Sequence, residues 1–134
     1  MRIAKGRAGK PSERRTDTFS GGVLADAVLP PADGIVVNTV VFEPGGRTYW
    51  HKHEVAQVLF VTTGEGRLQS ADGTGGTLRP GDVAHIPAGE VHWHGAAPGS
   101  LLVHVAVSVG KTEWMHEVSD EEYAEAFADG PDAD

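Results

Sequence analysis

Residues 45–64 read Gly45-Gly-Arg-Thr-Tyr-Trp-His51-Lys-His53-Glu-Val-Ala-Gln57-Val-Leu-Phe-Val-Thr-Thr-Gly64, and this stretch decides the fold. Thirty-five residues after Gln57 the chain adds His92. Imidazoles and amide oxygens are side-chain groups that bind metals, and here they lie among β-branched and aromatic residues that favour strands. The sequence therefore predicts a metal site built on β-strands.

Strand geometry explains why His51 and His53 suit one ion. Successive side chains of a strand point to opposite faces, so these two project from one face with Cα atoms roughly 7 Å apart. Gln57 has the same parity, but on a straight strand it would lie roughly 20 Å from His51. We therefore expect the chain to bend at residues 54–56.

A second segment, residues 81–94, reads Gly81-Asp-Val-Ala-His-Ile-Pro-Ala-Gly-Glu-Val-His92-Trp-His94 and carries another His-x-His pair. One such pair is a weak signal, because ordinary core and surface histidines produce it often. Two pairs, each preceded by Pro and Gly turn residues and each beside a β-prone run, favour a metal site. One histidine of the second pair can complete the ligand set.

Both segments resemble the two sequence motifs of the cupin family. The residues that match are Gly45, His51, His53 and Gly64 of the first motif and Gly81, Pro87, Gly89 and His92 of the second. Gln57 stands where the family usually has Glu, and Ala96 stands where Asn is usual. The resemblance spans roughly residues 35–109 and implies one metal ion inside a small antiparallel β-barrel. The implied ligands are His51, His53, Gln57 and His92.

A narrower resemblance points to single-domain, manganese-binding cupins with hydroxynitrile lyase activity. It is carried by residues 57–66, 92–98 and 113–123 and by His104. It implies that His94 and His104 are cavity histidines that handle protons. It also implies one divalent transition metal per subunit, manganese first, with Fe, Ni, Co or Zn as alternatives.

The donor set has chemical consequences of its own. Three imidazoles and one amide are all neutral, so a divalent ion would keep its full charge and favour anions such as hydroxide, cyanide, carboxylate or an enolate. Four protein ligands leave open positions on a metal that prefers six, which suits Mn, Fe, Co or Ni better than closed tetrahedral zinc.

His104 lies in an otherwise apolar strand and needs a partner there. Two interpretations stay open: a hydrogen bond to a neighbouring strand, or a general acid or base. His85 and His116 are expected to be structural or exposed, because neither occupies a motif position. Asn38, Val40 and Phe42 alternate along a strand that lines the cavity mouth in the resembled family, so they are candidate substrate contacts.

The fold class expected is all-β, a cupin-type antiparallel β-barrel or jelly roll with one short C-terminal helix. Short β-prone runs separated by Pro-Gly or Asp-Gly turns favour a sandwich or barrel. An apolar run at 23–29 should end at Pro30-Pro31, and regular strands should begin at Ile35. Ser119 and Glu122 form a capping box that predicts a helix over 119–128. The expected strands lie at 35–42, 48–53, 57–63, 66–70, 76–78, 82–86 and 101–109.

Length and composition predict one globular domain. The chain has 134 residues, of which 40% are hydrophobic and 22% charged, and it has no cysteine. We expect a mobile or strand-swapping N-terminal arm at 1–18, the barrel at 19–118, and an acidic helix and tail at 119–134. We expect no membrane span and no secretory leader, and hence a cytoplasmic protein.

Charge is uneven along the chain, whose net charge is −8. The first fifteen residues hold six basic side chains and one acid, whereas residues 113–134 hold nine acids and no Lys or Arg. The basic arm lacks interleaved aromatic residues, so we expect no nucleic-acid partner.

The function expected is metal-dependent lyase chemistry on a small oxygenated or anionic substrate, with carbon–carbon bond cleavage or formation as in hydroxynitrile lyases. The alternatives are an iron or nickel dioxygenase, a polyketide cyclase or isomerase, and a non-catalytic protein that binds small molecules. We expect a small-molecule substrate and a homo-oligomer, dimer or tetramer, assembled through edge strands.

Overall fold

The chain forms an antiparallel β-barrel with one short helix, as expected, in a computed structural model that describes residues 1–6 and 10–128. The strands are β1 (Glu13–Arg14), β2 (Phe19–Ser20), β3 (Val23–Ala32), β4 (Ile35–Phe42), β5 (Arg47–Thr48), β6 (His51–His53), β7 (Ala56–Gly64), β8 (Gly66–Ser70), β9 (Gly75–Leu78), β10 (Val83–Pro87), β11 (His92–Ala96), β12 (Leu102–Val109) and β13 (Thr112–Trp114), and the helix is α1 (Asp120–Phe127). Among the described residues, no helix is long and apolar enough to cross a membrane.

Two sheets make up the barrel. One has the strand order β1-β3-β4-β12-β7-β10. The other has the order β13-β6-β11-β5-β2, and β8 pairs with β11 and with β9. Every described strand pair is antiparallel. This jelly-roll arrangement brings the two histidine segments into one sheet, because β6 and β11 are neighbours in it.

The inward face of the first sheet changes from apolar to polar along its strands. At one end Val40, Phe42 and Leu102 are at most 6% exposed and pack in the main core cluster. Further along β12, at the same parity, are His104 and Ser108, opposite inward residues of β7. Burial of apolar area stabilises the first end, whereas the polar end needs hydrogen-bond partners, so function is expected there.

The C-terminal helix is fastened to the barrel by Arg47. Ser119 caps α1 with the predicted capping box. The Arg47 guanidinium is buried, donates to the Val118 carbonyl, pairs with Asp120 at 2.8 Å and lies 4.5 Å from the centre of the Tyr123 ring. The Tyr123 hydroxyl donates to a barrel carbonyl, and Phe127 packs beside it.

Three local features differ from the expectation. β3 continues through residues 30–31, with register shifts on either side of Leu29. In the described residues β1 pairs with β3 only at Leu24 and Ala25. The two prolines lie beyond this pairing, at an edge of β3 where the N–H that proline lacks is not needed for a ladder hydrogen bond. The expected strand at 48–53 is interrupted at residues 49–50, and β2 and β13 were not expected.

The N-terminal arm lies partly on its own barrel, since Glu13–Arg14 pairs with β3 of the same chain. Exchange of this arm between subunits, and the three segment boundaries, stay predictions. The end of the predicted acidic tail, after residue 128, lies outside the described residues.

Candidate metal centre and cavity

Three histidines converge between the sheets. His51 and His53 lie on β6, and His92 on β11 is paired directly opposite His51. They are 1%, 3% and 0% exposed, and one ring nitrogen from each lies within 4.8 Å of the others. Imidazoles brought this close can hold one metal ion.

Gln57 reaches the same place from the opposite sheet. The chain bends at residues 54–55, as expected, and then enters β7. The amide oxygen of Gln57 lies 3.0 Å from Nε2 of His92, while its NH₂ group donates to the Ser108 hydroxyl at 3.1 Å. Ser108 is the cross-strand partner of Gln57, so the register of the sheet places its hydroxyl at this position. The amide oxygen therefore faces the histidine cluster.

The outer ring nitrogen of each clustered histidine meets an oxygen atom. The contacts are His51 Nδ1 to the Tyr49 carbonyl at 2.9 Å, His92 Nδ1 to the Glu90 carbonyl at 2.9 Å, and His53 Nδ1 to the Thr112 hydroxyl at 3.0 Å. A carbonyl can only accept, so Nδ1 carries the proton in neutral His51 and His92, and Nε2 carries a lone pair. In His92 this lone pair faces the Gln57 amide oxygen, another acceptor, and a cation shared by the two atoms would remove their repulsion. Such outer partners orient metal ligands.

A buried atom without a partner indicates that the cluster fits a metal ion. Nε2 of His53 is buried and makes no hydrogen bond with the described residues. An unpaired buried nitrogen costs free energy unless something binds it. A divalent transition metal would satisfy this nitrogen together with its neighbours, so the residues present fit such an ion.

Burial keeps the clustered imidazoles neutral. Desolvation lowers the pKa of His51, and the neighbouring His92 lowers it further. Desolvation also lowers the pKa of His53, and it lowers the pKa of His92 to about 4. Neutral imidazoles are the form that binds metals, so these side chains are ready to bind near neutral pH.

A second pair of histidines lies deeper, beside the cluster. Nδ1 of His94 and Nε2 of His104 are 2.9 Å apart, and these residues are 3% and 0% exposed. The remaining nitrogens, His94 Nε2 and His104 Nδ1, are buried without a hydrogen-bond partner among the described residues. Desolvation lowers the pKa of His94 well below its usual value and that of His104 to about 4.

A cavity of about 150 Å³ lies against the histidines. Asn38 and Val40 line it, together with His94. Phe42 lies deeper, at 0% exposed, with its ring centre 5.2 Å from that of His104. His104 itself is packed behind His94 and does not line the cavity.

The lining residues that were not singled out from the sequence include Phe19, Ser108, Thr112 and Trp114. Ser108 had a usable signal, because it shares parity with His104 on β12. The others come from short strands whose sequences carry no strong β pattern. His85 and His116 are exposed, in agreement with expectation.

Comparisons with known proteins agree with this geometry. The model of the Cupin domain family matches residues 38–121. The (R)-mandelonitrile lyase of Granulicella tundricola is 42% identical over 113 residues, which cover 80% of this chain and 86% of that protein.

Two solved structures are similar to the fold of this chain. A cupin-like protein of Thermotoga maritima is 41% identical, with a TM-score of 0.80, and the match covers 85% of this chain and 94% of the other. The polyketide cyclase RemF of Streptomyces resistomycificus has a TM-score of 0.72 at 23% identity, over 98% of this chain and 95% of the other, and this supports the fold alone. The β-barrel, the histidine cluster and these relatives show that the chain belongs to the cupin family.

Proposed function

We propose that this protein is a metal-dependent lyase that cleaves a hydroxynitrile into a carbonyl compound and cyanide, or forms one from them. The observation that carries the proposal is the convergence of three buried imidazoles and the Gln57 amide oxygen beside the His94–His104 pair. The identity to an (R)-mandelonitrile lyase supports the reaction class.

His51, His53, His92 and Gln57 would hold the ion, with Mn preferred over Fe, Ni, Co or Zn. When bound, the metal supplies Lewis acidity that stabilises an oxygen anion or cyanide. The four residues bring no negative charge, so they leave the positive charge of the ion available to an anion. This distinguishes the site from one with Glu at position 57.

His94 is proposed as the group that moves the proton. If His94 donates its Nδ1–H to Nε2 of His104, then His94 Nε2 has a free lone pair and His104 carries its proton on Nδ1. In cleavage, His94 Nε2 takes the substrate hydroxyl proton, the oxygen electrons form the carbonyl, and the bond to the nitrile carbon breaks with its electron pair on cyanide. His104 holds His94 in the required tautomer and stabilises the positive charge that develops on it.

Asn38 and Val40 would contact the substrate, as both line the cavity. Phe42 would act from behind, by packing against the rings of His94 and His104 at 5.9 and 5.2 Å. We also propose that the protein is cytoplasmic and that it assembles into a dimer or tetramer. Light scattering of the purified protein would test the oligomeric state.

The experiment that tests the function is mandelonitrile cleavage by protein loaded with Mn²⁺, followed by benzaldehyde absorbance. We expect turnover that depends on the metal and is equal with and without oxygen. The metal-free protein is the control. Activity that requires oxygen would favour a dioxygenase, and no cleavage by fully loaded protein would contradict the proposal.

A further inference from the structure

The two sheets of the barrel differ in their outward faces. The outer face of the second sheet is polar in one part, where Lys52 pairs with Glu113 at 3.1 Å, and covered in another, where Tyr123 of α1 packs against Trp93. The outer face of the six-stranded sheet has neither feature. Its outward positions are mainly apolar, and the core clusters of the described residues do not include them.

Strand register defines an apolar patch on this face. In β12 the buried residues His104 and Ala106 point into the barrel, so Val105 and Val107 point outward. Residues directly opposite them on the neighbouring strands share that face and continue it in two rows. The outer patch consists of Val37, Val107 and Val58 in one row and Val105, Phe60 and Val83 in the other.

The outer patch is uncovered and carries no charge. Phe60 and Val83 are 51% and 57% exposed. The outward positions of β4, β7, β10 and β12, all of them described, contain no Asp, Glu, Lys or Arg. An antiparallel sheet with one face in water normally alternates apolar and polar side chains, whereas here both faces are apolar. Contiguous exposed apolar side chains mark a surface that binds another surface.

The size of the face suits a protein partner. Six strands about 4.8 Å apart, and the eight residues of β12 at a rise of about 3.4 Å each, give a face of roughly 24 Å by 27 Å, or about 650 Å² in projection. A stable interface buries about 800 Å² of contoured surface on each partner. The outer patch supplies an apolar centre of the kind such interfaces have, and Thr39 and His85, which end its two rows, begin a polar rim.

Charge favours a second copy of this chain as the partner. The net charge is −8, so two copies repel each other in most orientations. They approach with least repulsion where the outward side chains are uncharged. An apolar patch is also complementary to itself, so a two-fold axis can bring the same residues of both copies together.

The edges of the six-stranded sheet are poor sites for pairing with another chain. At one edge β1 has two residues, and at the other β10 ends with Pro87. Short edge strands and proline discourage the addition of a further strand. Packing of faces is therefore favoured over the edge-strand assembly expected from the sequence.

We infer that two copies of this chain pack face to face through the outer patch, as two sheets about 10 Å apart related by a two-fold axis. The inference rests on the proposed oligomer and adds the surface that forms it. Strands β7 and β12 carry Gln57 and His104 on their inward side, so the interface lies behind the histidines and leaves the cavity open.

The test is the mass of the purified Mn²⁺-loaded protein by light scattering. The parent should have the mass of two or four chains. Phe60→Lys places a charge in the centre of the interface, where it would be buried without a partner. The mass should fall by a factor of two at the same protein concentration, and the dissociation constant of the dimer should rise about 100-fold.

Val83→Lys repeats the test at the position opposite Phe60. Both positions are at least half exposed, so the single chain tolerates lysine there, and circular dichroism checks the fold of each variant. The matched control is Met115→Lys, which adds the same charge at an apolar residue that is 40% exposed and follows β13 of the other sheet. It should keep the parent mass.

Two results would overturn the inference. A monomeric parent would reject it together with the proposed oligomer. An oligomer that keeps its mass in both Phe60→Lys and Val83→Lys would reject the outer patch alone and would assign assembly to the sheet edges or the N-terminal arm. Mandelonitrile cleavage by the same samples reports on the proposed reaction separately.

Discussion

The molecule buries two groups of histidines side by side, and they are bonded differently. In the cluster of His51, His53 and His92, each Nδ1 contacts an oxygen of the surrounding chain and each Nε2 is turned inward. In the pair His94 and His104, the rings bond to each other and each has one nitrogen with no partner among the described residues.

This difference separates two kinds of chemistry in one cavity. Rings fixed from outside by acceptors have their lone pairs aligned for a shared cation. Two rings that are hydrogen-bonded to each other can instead couple their protonation states, because each ring nitrogen can either donate or accept. Burial lowers the pKa of both groups, so bonding, not charge, distinguishes them.

The largest effect is expected for His92→Ala, which removes one cluster ring. The variant should lose bound metal, and mandelonitrile cleavage should fall by about 1,000-fold, because Lewis-acid stabilisation contributes several kcal/mol. Elemental analysis and a rate assay measure the two quantities. His85→Ala removes an exposed imidazole instead and should keep both at parent level. Full metal content in His92→Ala would mean that the cluster does not hold the ion.

His104→Ala tests the other group. Metal content should stay at one per subunit, whereas the cleavage rate should fall by about 100-fold, the lower range for loss of acid–base assistance. Elemental analysis of the same sample shows whether the metal is retained. An unchanged rate would assign His104 a packing role only.

The pH dependence of stability tests whether the buried rings are neutral. Burial holds the pKa of His104 at about 4, below the roughly 6.5 of an unfolded chain. The unfolded chain therefore binds more protons between these values, and metal-free protein should lose stability as the pH falls from about 7 towards 4, with no loss from this source above 7.

Substitution of His104 tests whether this residue causes the pH dependence of stability. His104 accounts for a contribution on the order of 3 kcal/mol to the free energy of unfolding, so His104→Leu should show a shallower decline. Urea unfolding of the metal-free parent and variant at several pH values measures how the free energy of unfolding declines. Parallel curves for parent and variant would show that His104 does not stay neutral on folding.

The smallest effect is expected for Ser108→Ala, which removes the hydroxyl that accepts from the Gln57 amide. Without it the amide can turn its NH₂ end towards the cluster, and metal affinity should fall by about tenfold. Competition with a chelator measures the affinity, and Ser100→Ala serves as a control because its hydroxyl lies in the loop before β12.

A Gln57→Glu background sharpens this test. Both oxygens of a Glu carboxylate can bind a metal, whichever way the group is turned. Adding Ser108→Ala to the Gln57→Glu variant should therefore lower the metal affinity less than it does in the parent. An equal loss in both backgrounds would show that Ser108 does not act by orienting the amide.

Much of the site was foreseeable from local pattern. The alternation of strand side chains places His51 and His53 together, and the bend before Gln57 follows from the reach of its side chain. The cupin resemblance added His92, and the structure brings all four residues to one place. Their role as ligands, the proton role of His94 and His104, and substrate contact by Asn38 and Val40 stay predictions, whereas Phe42, the third expected contact, lies behind the cavity lining.

Residue type and short-range periodicity were enough to specify the all-β class, the capped helix, the two histidine segments and the neutral character of the donors. Only the packed fold brings Ser108 opposite Gln57, bonds His104 to His94, and places Phe19 and Trp114 at the cavity. These contacts join residues far apart in the chain. They depend on strand register and sheet packing, which no local pattern specifies.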